Sequence, residues 1–351
     1  MKINCHCHIF SLDCVPSAFR RRFLLDVKNP LHKLVRRFLR RLLPEDSKVE
    51  RWIQMVDLSI REIAEKLVLE MDEADIDLCT PLMMDMAYCR AFGGALKPFE
   101  EQMSETVAAV TAINDRYHRP RMWPFVAADP HRENVVDLVT GSLEEGAFKG
   151  VKIYPVMGFT PDDKRLYPIY EYCVRRRVPI TTHCQNGGIP GLEGYYGLAH
   201  PKYWRRVLRA FPALILNLAH NDWTGTAWQR KIRQLIVDYP NVYTDIAYDT
   251  EMWLMPRRYF KSIQKMLRTP RVRDRVLFGT DWYMGRFLWT ETSYLEWFTR
   301  HSARIPWCRV KFTSTDMYRL TDANPRRFLG IPDLRSAEDV GFIGAGGPAT
   351  P

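Results

Sequence analysis

The 351-residue chain has no Cys-x-x-Cys pair, no uncharged apolar run of membrane-spanning length, no low-complexity tract and no internal repeat beyond a strand-helix alternation. Each absence excludes something. Its eight cysteines (Cys5, Cys7, Cys14, Cys79, Cys89, Cys173, Cys184 and Cys308) are scattered, and a chain this long does not need disulfide staples. Without a long apolar run no transmembrane segment is expected. The start, Met1 to His8, lacks an apolar h-region and a small-residue cleavage site, so the expected compartment is a reducing cytoplasm. Acidic residues are also scarce, 41 against 51 Lys and Arg, for a net charge of +10. Residues 20–41 hold nine basic side chains and one acid, so +8 of that excess is local and the chain as a whole does not read as a nucleic-acid binder.

What is present is the composition of a packed domain: 46% apolar, 12% aromatic and 26% charged residues. Strand-like runs at 2–7, 76–83, 122–127, 150–154, 178–183, 213–219, 242–246 and 276–280 alternate with amphipathic segments at 60–74, 99–117, 134–145, 167–176, 201–211, 226–239, 256–268 and 291–302. Eight such units predict an α/β fold, a (β/α)8 TIM barrel over residues 1–335, followed by a flexible Gly- and Pro-rich tail at 336–351. The first unit carries an insertion, residues 10–58. Within it Leu31, Leu34, Val35, Phe38, Leu39 and Leu42 fall at helical spacing between arginines, and Pro44 follows, so a basic amphipathic helix is expected over 31–43. Three readings stay open for it: a lid over the barrel mouth, a docking surface for a membrane or acidic partner, and a solvated helix.

Side chains at the C-terminal ends of barrel strands converge on one mouth, so polar residues there ask for an explanation. The first strand ends in His6-Cys7-His8, where a period of two puts both imidazoles on one face and turns Cys5 and Cys7 to the other. Two imidazoles so placed suit a shared metal. The triplet alone is short enough to arise by chance. Ligand-type residues recur, however, at later strand ends: Lys152, His183, His220 and Asp281. Packing does not explain the set, and a metal centre does.

His-x-His after strand one, His after strands five and six, and Asp after strand eight resemble the amidohydrolase superfamily, in particular the amidohydrolase-related branch that includes aminocarboxymuconate-semialdehyde decarboxylase. Three further segments resemble that branch: MDEADID at 71–77, VLFGTDW at 276–282 and NPRRFLG at 324–330. The resemblance implies that His6, His8, His183 and Asp281 ligate a divalent metal, Zn²⁺ first and Mn, Fe or Co as alternatives, which would acidify a bound water. It implies Asp281 as general acid/base, and His220 as a residue that orients the water, polarises a carbonyl or binds a second metal. In binuclear members a strand-four lysine is carboxylated and bridges two ions, so Lys152 leaves one or two metals open. The chain departs from the branch after strand six, with His220-Asn221-Asp222-Trp223 in place of a glycine run, and before the His-x-His, with Asn4 and Cys5 in place of an acid.

The implied reaction is hydrolysis of an amide, ester or lactone carbonyl in a small anionic substrate. Non-oxidative decarboxylation of an aromatic or unsaturated acid is the alternative. A non-catalytic barrel that binds membrane or nucleic acid through its basic helix is the reading from another class, and the intact ligand set speaks against it. Tyr154, Asn186, Trp223, Asp249, Trp282 and Arg286 fall near the mouth. Of these Tyr154, Trp223 and Arg286 are expected to contact substrate, with Arg286 pairing a carboxylate, while Asp249 is a candidate partner for a ligand imidazole. His32, His118, His131, His200 and His301 read as solvated or capping residues, and Cys184 as structural. A homodimer is left open.

Overall fold

Helix starts in this chain are written in capping residues. Ser59 accepts from the Glu62 backbone while the Glu62 side chain returns the bond, and Thr290 does the same with Ser293. His200 caps the helix that Pro201 opens, as its position predicts. In the computed structural model the described residues are 1–22, 51, 58–95, 97–189, 191–222, 227–249, 251–286, 288–304 and 308–332. Most of the insertion, with the basic helix expected over 31–43, and the tail at 336–351 lie outside them.

The strands are β1 (Ile3–Cys7), β2 (Leu78–Pro81), β3 (Phe125–Ala128), β4 (Gly150–Ile153), β5 (Ile180–His183), β6 (Leu216–Ala219), β7 (Val242–Asp245) and β8 (Val276–Leu277). Each is followed by its main helix: α1 (Ile60–Glu73), α2 (Phe99–Arg116), α3 (Val135–Glu144), α4 (Tyr167–Arg176), α5 (Pro201–Ala210), α6 (Ala227–Asp238), α7 (Pro256–Arg268) and α8 (Glu291–Glu296). A last helix, α9 (Asn324–Leu329), closes the described chain. The segment expected as one helix over 291–302 is broken by a π-turn at Trp297–His301.

Strands β3 to β8 form a parallel ladder in sequence order, and β1 pairs with β2. Bridges Cys79↔Met122 and Leu82↔Phe125 join that pair to β3, and Cys7↔Trp282 joins it to the segment after β8. The Cys5 and His8 amides donate to the Phe278 and Trp282 carbonyls at 2.9 and 2.7 Å, which brings the ring round. The result is the TIM barrel the alternation predicts.

Two expectations shift. The strand expected over 276–280 ends at Leu277, because the amides of Thr280 and Asp281 both turn to one acceptor, the His6 carbonyl, at 3.1 and 2.9 Å. In β1 a register shift lies between Asn4 and Cys7, so strict alternation fails. Cys5 therefore joins a small cluster with Ile3, Phe125, Tyr243, Leu277 and Phe328, while Cys7 packs in the main core. A cluster drawn from strands on opposite sides of the ring is barrel interior. Gly279 makes the closure possible: a Cβ there would lie 2.7 Å from the His6 Cβ. Among the described residues no helix is long and apolar enough to cross a membrane.

Candidate metal centre

The end of β1 starts the site and tertiary contacts finish it. His6 Nδ1 lies 2.9 Å from Asp245 Oδ2, and His8 Nδ1 lies 2.7 Å from the Leu82 carbonyl. With both Nδ1 atoms engaged, Nε2 is the nitrogen that each ring turns to the site. Those two Nε2 atoms converge on one oxygen, Asp281 Oδ1, at 3.5 Å from His6 and 3.1 Å from His8. Asp281 reaches that point from a left-handed backbone, φ 54°. His220 is left-handed too, φ 70°, and opens a run of three such residues with Asn221 and Asp222. Non-glycine residues adopt this region at a cost of about 1–3 kcal/mol, and such strain concentrates at functional sites.

The site is dry enough to tune its groups. Burial pulls the His6 imidazole down to about 4 against the opposing Asp245 carboxylate, so it is neutral near pH 7. Burial likewise takes His183 well below the usual imidazole value and Lys152 down to about 8, with Asp281 and Asp245 opposing. Burial pushes the Asp281 carboxyl up, but the His8 hydrogen bond and the neighbouring imidazoles outweigh it and hold Asp281 well below the carboxylate range. The same balance, with His6 as the main partner, holds Asp245 low.

Donor atoms from His6, His8 and Asp281 lie within 4.8 Å of one another, as do donors from His6, His220 and Asp245. His220 Nδ1 is buried without a hydrogen-bond partner. Imidazoles, carboxylates and one orphaned ring nitrogen fit a divalent transition metal, and nitrogen and oxygen donors of this kind suit zinc.

His183 stands beside His220, ring centroids 4.8 Å apart, but its Nε2 is bound to the Gly187 carbonyl at 2.8 Å and it joins neither donor group. Lys152 is buried on β4, its Nζ 5.9 Å from the Tyr154 ring centroid. Tyr154 meets His183 edge-on at 5.1 Å. Trp223 lies outside the described residues.

Arg286, expected to pair a substrate carboxylate, donates from Nε to Glu70 Oε1 at 3.0 Å, and its side chain is 4% exposed. Trp282 is buried beside it and donates to Glu70 Oε2 at 2.7 Å. Both point to helix α1 because Glu70 offers a buried carboxylate that must be paired. Arg286→Met is expected to cost about 3–5 kcal/mol, the penalty for stranding one partner of a buried pair. A lower denaturant midpoint at unchanged slope would register it. Asp249 accepts from Gln185 Nε2 at 2.7 Å. The carboxylate on the His6 ring is Asp245, four residues earlier. It additionally takes the Asn217 amide at 2.7 Å and the His220 N–H at 2.8 Å. Asp245 is a polar residue at the end of a strand, so the rule that found the other candidates could have found it. The Leu82 carbonyl carries no such signal.

A profile of the amidohydrolase family matches residues 3–331. No curated protein sequence matches the chain. Among solved structures, an uncharacterised TIM-barrel protein from Bordetella bronchiseptica is 20% identical, with 94% of this chain and 98% of that one covered at TM-score 0.59. A probable 2-pyrone-4,6-dicarboxylic acid hydrolase from Acinetobacter baumannii, with citric acid bound, is 10% identical over 94% and 99% of the two chains, at TM-score 0.57. The 4-oxalomesaconate hydratase of Rhodopseudomonas palustris is 14% identical over 97% and 98%, at TM-score 0.54. These likenesses share the barrel. The profile match over nearly the whole length carries the assignment: the chain belongs to the amidohydrolase family of metal-dependent enzymes.

Proposed function

We propose that the protein is a metal-dependent hydrolase that opens an amide, ester or lactone carbonyl in a small anionic substrate. The observation that carries this reading is the single carboxylate oxygen, Asp281 Oδ1, shared by the Nε2 atoms of His6 and His8. His6, His8 and Asp281 are the proposed ligands, with His220, His183 and Lys152 beside them; zinc is the proposed ion. A divalent ion held there supplies Lewis acidity, which acidifies a water and polarises a carbonyl oxygen.

The remaining work falls to the chain. Asp281 is ionised, so it takes the proton from the attacking water and returns it to the leaving group. Asp245 keeps the His6 ring in one tautomer and fixes its direction. His220, whose Nδ1 has no hydrogen-bond partner, orients the water. Tyr154 packs edge-on against His183 beside the site. Two of the similar structures carry the names of enzymes for polycarboxylic acids, which supports an anionic substrate. Eight free, buried cysteines support a reducing, cytoplasmic setting.

The test is a panel of lactones, esters and amides bearing carboxylates, offered to zinc-loaded protein. Ring opening or amide release supports hydrolysis, and CO₂ release without water addition would replace it with decarboxylation. Loading should also appear in stability. Zinc at 100 times its dissociation constant is expected to add about 2.7 kcal/mol, and a chelator to remove it, as read by thermal unfolding.

A further inference from the structure

Behind the ligand side chains lies a second buried polar cluster that the proposed chemistry does not use. Its centre is Glu291, the first residue of α8, with no exposed surface. Glu291 Oε1 accepts the Thr280 hydroxyl at 2.6 Å, and both carboxyl oxygens accept the Asn4 amide at 3.1 Å. Asn4 also donates to Thr280 Oγ1 at 2.8 Å, and its own Oδ1 accepts the His6 N–H at 3.0 Å. Thr280 Oγ1 takes the Trp282 N–H at 3.1 Å, and the Glu291 N–H donates to Glu70 Oε2 at 3.2 Å.

Two irregular pieces of backbone meet at this carboxylate. One is the register shift of β1, which begins at Asn4 and presents His6 and His8. The other is the left-handed turn at Asp281, directly after Thr280. Neither conformation is what its residues prefer alone, and such backbone persists only where its surroundings over-determine it. Glu291 touches both pieces through one partner each.

We propose that Glu291 is a positioning residue that sets the spacing between the His6–His8 pair and Asp281, acting through Asn4 and Thr280. The proposal rests on the metal-site reading above. Burial pushes the Glu291 carboxyl up to about 8, with Glu70 adding to it and the Thr280 bond opposing. A neutral amide of the same shape is therefore a fair substitute for it, and a methyl group is not.

The experiment uses the full chain, stripped of metal and titrated with cobalt(II), reading the dissociation constant and the visible spectrum of the bound ion. Glu291→Ala is expected to weaken cobalt binding roughly 10-fold or more and to change the spectrum. Glu291→Gln should stay nearer the wild-type affinity and spectrum than Glu291→Ala does. An alanine variant that folds and binds cobalt with wild-type affinity and spectrum, whatever its melting temperature, would overturn the proposal. Should that variant not fold, Thr280→Val decides: weakened binding with an altered spectrum supports the role, and wild-type behaviour refutes it. A wild-type chain that binds no cobalt would overturn the metal-site reading as well, a pattern distinct from equal binding by wild type and variant.

Discussion

Replacing His6 and His8 together by alanine is expected to remove the bound metal and with it at least roughly 10³-fold of turnover, since the ion contributes several kcal/mol to the transition state. The effect should be this large because the two rings supply both Nε2 atoms that face Asp281 Oδ1, and no other described residue offers a nitrogen to that oxygen within ion-pair distance. Elemental analysis of protein supplied with zinc measures it: one or two equivalents in the wild type, close to none in the variant. Circular dichroism checks the fold. A double variant that kept its zinc would overturn the ligand assignment, and a wild type with no metal would overturn the catalytic reading entirely.

Asp281→Asn is expected to lower kcat by about 10²–10⁴-fold at saturating zinc, the usual contribution of a positioned general acid/base. The substitution suits the site. Asparagine is one of the few residues that tolerate a left-handed backbone, so the φ of 54° should survive and the loss should report the missing proton acceptor and not a collapsed turn. Turnover within a few-fold of wild type would show that the proton moves through another group, and the buried amine of Lys152 would be the next to replace.

The value of testing Asp245 separately follows from its place in the structure. It touches His6 through the ring nitrogen that faces away from Asp281, and it also holds the His220 backbone. Asp245→Asn should weaken metal affinity roughly 10–100-fold without abolishing binding.

Most of the barrel was legible because its signals are local. Strand-like runs alternating with amphipathic segments mark the units, and the structure places capping residues at Ser59, Thr290 and His200 where three of the helices start. Strand ends were readable to within a few residues, and they decide which side chains reach the mouth. The partners of Asp249 and Arg286 were not readable for one reason. Distance along the chain from a strand end suggests the mouth, yet a loop returns side chains in directions that spacing cannot encode. Asp249 accepts from Gln185, and Arg286 pairs with Glu70 on the first helix.

What the sequence by itself determined is the inventory: eight strand-helix units, and His6, His8, Lys152, His183, His220 and Asp281 at strand ends. Alternation and capping depend on neighbours a few residues away, so one dimension is enough to read them. Only the tertiary structure decided which members of that inventory meet. Asp245 at the back of His6, the Leu82 carbonyl behind His8 and the diversion of His183 Nε2 to Gly187 depend on how strands register and loops turn. The barrel interior forces those choices, because a polar group buried there costs free energy until it finds a partner, and that partner comes from whichever strand lies alongside.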